Sequence, residues 1–137
     1  AATERFHTLA GDIQQTEAEL SRVSDLMAAV VQYAKTRPAF DGYKAAKYSR
    51  KYLAEHEAVL ADYRAAKATM AELLGGEKLP KMDVLKEKRR QLAARKKALY
   101  LEYHKAQQDM RELVAVKGSV DHLRGLTDNQ RNKEQAR

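Results

Sequence analysis

The sequence predicts an all-α protein, an elongated antiparallel three-helix bundle of coiled-coil character, and three observations predict it. Apolar residues recur at alternating steps of three and four along most of the 137 residues. Pro38, Gly75-Gly76 and Pro80 fall between the periodic stretches and not within them. Hydrophobic residues make up 44% and charged residues 33%, with a mean hydropathy of −0.70, the balance of long amphipathic helices and not of a sheet.

The first helix is expected over about 3–36. Leu9, Ile13, Thr16, Leu20, Val23, Met27, Val30 and Ala34 form one seam, with Thr3 as N-cap and Glu4 in the first turn. Pro38 should end it, because the residue before a proline is pushed out of the α region. Residues 37–49 read as irregular or as a short helix, with Asp41-Gly42 as a turn signal. A second helix is expected over about 49–74, its seam made of Leu53, His56, Leu60, Tyr63, Lys67, Met70 and Leu74. Gly75-Gly76 stops it, and Gly75 to Pro80 reads as a tight reversal. The last helix, about 81–124, has Leu85, Leu92, Leu99, Ala106, Leu113 and Val120 every seven residues, with Tyr103 and Met110 at the second seam position. Gly118 permits a bend and Gly125 reads as its cap. The bundle thus spans 1–125, and the polar tail 126–137 is expected to be disordered.

Several functional classes drop out. Without cysteine there is no disulfide framework and no thiolate-bound zinc. No apolar run approaches the roughly 20 residues of a membrane span, and no signal peptide opens the chain, so a cytoplasmic location with no membrane partner is expected. His7, His56, His104 and His122 are far apart, and none has a second histidine at helical spacing. No phosphate-cradling glycine loop and no Ser, His and Asp set is visible. No catalytic residue, metal, cofactor or small-molecule substrate is therefore expected of this segment.

Charge carries the positive signal. The net charge of +7 is concentrated in two blocks. Residues 35–52 hold +5, from Lys35, Arg37, Lys44, Lys47, Arg50 and Lys51 against Asp41. Residues 78–97 hold +7, with Lys81, Lys86, Arg89, Arg90 and Lys97 among their bases. The stretches 1–34 and 53–77 are each −3. Tyr33, Tyr43, Tyr48 and Tyr52 alternate with the bases of the first block, where tyrosines can stack on unpaired bases while Lys and Arg follow phosphates. The eleven bases named here, with Tyr43 and Tyr48, are the DNA-contacting set that the sequence suggests. The other reading leaves the tyrosines closing the end of the bundle and the bases facing water.

Two sets of phrases also carry a resemblance. One is Tyr33-Ala-Lys-Thr-Arg, then Tyr43-Lys-Ala-Ala-Lys-Tyr-Ser-Arg-Lys-Tyr with Glu55-His-Glu behind it. The other is Lys78-Leu-Pro and the basic helix after it, with Tyr100-Leu-Glu-Tyr, Met110-Arg-Glu-Leu and Val120-Asp-His-Leu. Over about 26–125 the chain resembles the helical C-terminal region of MobA-type relaxases, the mobilisation nucleases of mobilisable and conjugative elements of gut bacteria. The resemblance implies a parent protein that nicks DNA with a tyrosine nucleophile and a metal held by histidines. Both belong to an N-terminal nuclease domain absent from this sequence, and nothing here matches the histidine motif, so no catalytic residue carries over. The reading that follows is a non-catalytic region that holds DNA or docks other transfer-complex proteins. Its alternative is a structural coiled-coil module for protein contacts.

Overall fold

The computed structural model describes residues 2–135, with the side chains of 3–120, 122, 123 and 125. The fold is all-α: α1 (Ala2–Ala45), α2 (Arg50–Glu55), α3 (Glu57–Leu74) and α4 (Met82–Gln135), with no strand among the described residues. Two helices, α3 and α4, pack against a third, α1. Residues 1–15 with 96–137 form one compact unit and residues 16–95 another.

In the second unit, α1 and α3 are antiparallel. Arg22 donates to the Leu73 carbonyl, Tyr33 stacks on Tyr63, and Tyr43 stacks on Tyr52, so α1 numbers rise as α3 and α2 numbers fall. The core gathers Val23, Leu26 and Met27 of α1 with Leu85 and Leu92 of α4. From α3 only the last turns, Met70, Leu73 and Leu74, join it. Leu92 lies two turns beyond Leu85 yet still packs in this cluster, so α4 does not return along the body of α3. The stretch Gly75–Lys81 therefore passes the α1 surface from α3 to α4, where a tight reversal was expected. Gly75 caps α3 in the left-handed region (φ 55°), its N–H reaching the Ala71 carbonyl, and glycine takes that conformation without a Cβ clash.

Three elements depart from the sequence reading, each for a tertiary reason. Helix α1 does not stop before Pro38 but continues to Ala45. A proline ring inside a helix costs about 3 kcal/mol through a lost N–H and a clash with the preceding turn. Here the segment is held on both sides of the ring. Thr36, 2% exposed, donates its hydroxyl to the Gln32 and Tyr33 carbonyls. Beyond it, Phe40 stacks on Tyr63 at 4.4 Å and the Tyr52 hydroxyl donates to the Ala39 carbonyl at 2.7 Å. Asp41-Gly42 is consequently helical and not a turn; the glycine is needed because a Cβ there would overlap the Tyr52 hydroxyl. The expected second helix breaks at His56, which is a junction and not a seam residue. Its backbone N–H and its ring Nδ1 both lie at the Tyr52 carbonyl, and its ring stacks on Tyr52 at 3.9 Å. In α3, Ala66 is buried where Lys67 was expected; in α1, Thr36 is buried and Ala34 is exposed.

In the other unit, the first turns of α1 meet α4. Leu9, Ile13 and Ala106 are buried, and Phe6 stacks on Tyr103 at 4.8 Å. Leu113 and Val120 continue the seven-residue repeat but are exposed. Helix α4 passes through Gly118 and Gly125 to Gln135, so Gly125 is not a cap and the 126–135 backbone is helical where disorder was expected. Residues 136 and 137 lie outside the described residues.

Candidate nucleic-acid interface

The first basic block surrounds the turn between α1 and α2. Helix α1 ends there with the paired hydrogen bonds of a Schellman motif: Tyr48 N–H to the Tyr43 carbonyl and Lys47 N–H to the Lys44 carbonyl, both at 3.0 Å. Lys47 occupies the left-handed position that glycine usually fills (φ 54°), and Tyr48 follows in the same region (φ 58°). Ser49 then caps α2 by accepting from the Tyr52 N–H.

A ladder of rings fixes this turn. Tyr48 meets Tyr43 edge-on at 5.2 Å, Tyr43 stacks on Tyr52 at 5.9 Å, and Tyr52 stacks on His56. Beneath them Tyr33 and Phe40 each stack on Tyr63. The Tyr63 hydroxyl is held above its ordinary titration range, first by burial and then by its hydrogen bond with Tyr33. Tyr43 is half-buried, whereas Tyr48 is 55% exposed. Of the two tyrosines that the sequence singled out, one thus supports the turn and the other projects from it.

Lys35, Arg37, Lys44, Lys47, Arg50 and Lys51 are all exposed. Among the described residues none of these six forms an ion pair, and Lys44 lies 5.6 Å over the Phe40 ring. The turn thus carries four basic side chains, Lys44, Lys47, Arg50 and Lys51, from the end of α1, the loop and the start of α2, while Lys35 and Arg37 lie two to three turns back on α1. Lys44 and Lys47 also sit favourably at the negative end of the α1 dipole, which is a structural use of the same charges.

The second block is different in kind. Lys81 precedes α4, its carbonyl accepting from Leu85. Lys86, Arg89 and Arg90 are exposed and lie within about 100° of one another around the helix. Arg90 is engaged: its guanidinium grips Glu87 through two hydrogen bonds at 2.6 and 3.0 Å. That contact lowers the Glu87 carboxyl and raises the Arg90 guanidinium from their usual ranges. Lys97 is exposed but belongs to the other compact unit. The structure does not merge the two blocks. The α4 start packs on Leu26 and Met27, whereas the first block begins at Lys35 and runs past Ala45, so roughly 12 Å to 28 Å of α1 separates them.

Sequence reasoning named Tyr52 only as one of the tyrosines among the bases and missed that it organises the turn, stacking on both sides and bonding back to α1. Its available signal was the pair Tyr52 and His56 four residues apart, with Gly42 where Tyr52 needs room. Among the described residues no group of His, Asp or Glu is placed to hold a metal ion, and no helix is long and apolar enough to cross a membrane. No protein-family model, curated protein or solved structure matches the chain.

Proposed function

We propose that this chain is a non-catalytic helical region of a relaxase-type mobilisation protein, and that the turn between α1 and α2 contacts the nucleic-acid backbone. The observation that carries the reading is the set of four exposed basic side chains, Lys44, Lys47, Arg50 and Lys51, around one ring-braced turn, none of them in an ion pair among the described residues. Fixed cations lose less freedom on meeting phosphates than cations on a mobile loop. The α4 block supplies a second, weaker contact because Arg90 is already neutralised by Glu87. A histidine-rich nuclease domain ahead of this segment in its reading frame would support the relaxase assignment.

The second reading, a structural coiled-coil module, is favoured by the packing of Tyr43 against Tyr48 and Tyr52, which gives those rings a use without any ligand. Salt dependence separates the two. If about four phosphates are neutralised, log affinity for duplex DNA falls with log salt at a slope of about −3.6. Reversing Lys44, Lys47, Arg50 and Lys51 to Glu should then lower affinity at least tenfold while helix content by circular dichroism stays unchanged. Absence of binding at about 50 mM salt, or binding indifferent to the reversal, leaves the structural module as the better reading.

A further inference from the structure

Helix α3 ends on Gly75-Gly76 in the left-handed region, at φ 55° and 88°. Helix α1 ends on Lys47-Tyr48 in the same region, at φ 54° and 58°. Glycine takes this backbone without a Cβ clash, whereas a lysine or a tyrosine is crowded there. The chain thus closes one helix with glycines and the other with two side chains held under strain. Strain of this kind persists where the side chains have a use, and it clusters at ligand contacts.

The rings around the turn differ in what they leave free. Tyr43 is half-buried, and Tyr52 is stacked on both sides with its hydroxyl bonded to Ala39. Tyr48 is 55% exposed, and its one ring contact among the described residues is the edge-on meeting with Tyr43, at an interplanar angle of 87°. An edge-to-face pair occupies at most one face of either ring, so at least one face of Tyr48 has no ring against it. Lys44, Lys47, Arg50 and Lys51 all lie within four residues of it and are exposed. Four cations beside one another favour a polyanion. The ring narrows the choice, because the bases of a duplex are stacked on one another, whereas an unpaired base offers its face to an aromatic side chain.

We propose that Tyr48 stacks on an unpaired nucleobase while Lys44, Lys47, Arg50 and Lys51 hold the phosphates on either side of it. The proposal rests on the backbone-contact reading above and adds to it a ligand class, the unpaired strand, and the residue that selects it. Tyr43 and Tyr52 brace that residue and touch no ligand.

Fluorescence anisotropy on the full chain at about 50 mM salt tests this with three labelled probes. They are a thymidine strand of about 15 nucleotides, a mixed-sequence duplex of that length, and an equal strand whose central nucleotides are abasic. The parent chain should bind the abasic strand about tenfold more weakly than the thymidine strand, since the phosphates are kept and the bases are gone. Tyr48→Leu should lower affinity for the thymidine strand about tenfold and leave the duplex and the abasic strand within about twofold. Tyr48→Phe keeps the ring and should match the parent on every probe. Helix content by circular dichroism should be the same in all three chains. The abasic comparison uses the unaltered chain, so it holds even where leucine disturbs the turn. Reversing the four cations to Glu should instead weaken strand and duplex alike. Equal affinity for the thymidine and abasic strands overturns the proposal and leaves the backbone-contact reading in place; the turn then reads charge alone, which an acidic protein surface also supplies. A loss on Tyr48→Leu that is equal for strand and duplex overturns it as well. No binding to any probe removes both readings.

Discussion

Two helical regions with similar sequence patterns are built in opposite ways. Around the α1–α2 turn, rings stack on rings, a glycine is in contact with a tyrosine, and two residues with side chains take left-handed backbone. Along α4 from 111 to 120 every residue is exposed, and Gly118 has nothing within 4 Å of the position its Cβ would take. Both regions carry apolar residues at helical spacing. The periodicity states which face is apolar; it does not state whether another helix of the same chain is there to meet it. The difference lies in what packs against each: Tyr63 of α3 stacks on Tyr33 and Phe40 of α1, whereas α4 is exposed from 111 to 120 among the described residues.

The largest contrast should appear on truncation. Leu60, 1% exposed, should cost about 3–4 kcal/mol when changed to Ala, because it leaves a cavity between well-packed helices. Leu113→Ala should change stability by less than about 0.5 kcal/mol. Urea unfolding followed by circular dichroism reads both. Equal effects would mean that the two regions do not differ as described.

The next contrast uses glycine. Gly42→Ala drives a methyl group into the Tyr52 hydroxyl, which is fixed by its bond to Ala39 and by stacking against Tyr43 and His56. The expected loss is about 2 kcal/mol, from overpacking and a displaced hydrogen bond. In a Tyr52→Phe background the same change should cost about 1 kcal/mol less, since the overlapping oxygen is gone. Gly118→Ala should instead stabilise by about 0.5–1 kcal/mol, as expected for an exposed helix interior. Opposite signs for the two Gly→Ala changes sharpen the comparison; a common sign breaks it.

What the sequence made legible follows the same division. The all-α class and the buried positions Leu9, Ile13, Val23, Met27, Leu60, Tyr63, Leu85, Leu92 and Ala106 were readable from period, and the stop at Gly75-Gly76 from its glycines. The fate of Pro38 was not, because the local penalty is opposed by Phe40 on Tyr63 and by Tyr52 on Ala39, contacts made across a turn. The exposure of Leu113 and Val120 was not either, since an apolar period does not state whether another helix faces it. For the candidate site, the basic residues were legible as charge, and their exposure follows from avoiding the seam. Their status was not: the grip of Arg90 on Glu87 and the half-burial of Tyr43 are matters of three-dimensional neighbours.

The smallest expected effect is the most local. Lys47 holds φ 54° at the position after the end of α1, where a side chain crowds the backbone and costs about 1 kcal/mol relative to glycine. Lys47→Gly relieves that strain but gives the unfolded chain more freedom, which takes back part of the gain. It also removes a cation from the negative end of α1, worth about 0.3–1 kcal/mol at low salt. The net expectation is a change within about 0.5 kcal/mol of zero that moves toward stabilisation as salt is raised, because screening weakens the lost dipole term and leaves the strain term untouched. Thermal melts at about 20 mM and 500 mM salt read this directly. A stability change that is independent of salt would mean that Lys47 gives nothing to the helix end, leaving its strained backbone without a folding benefit.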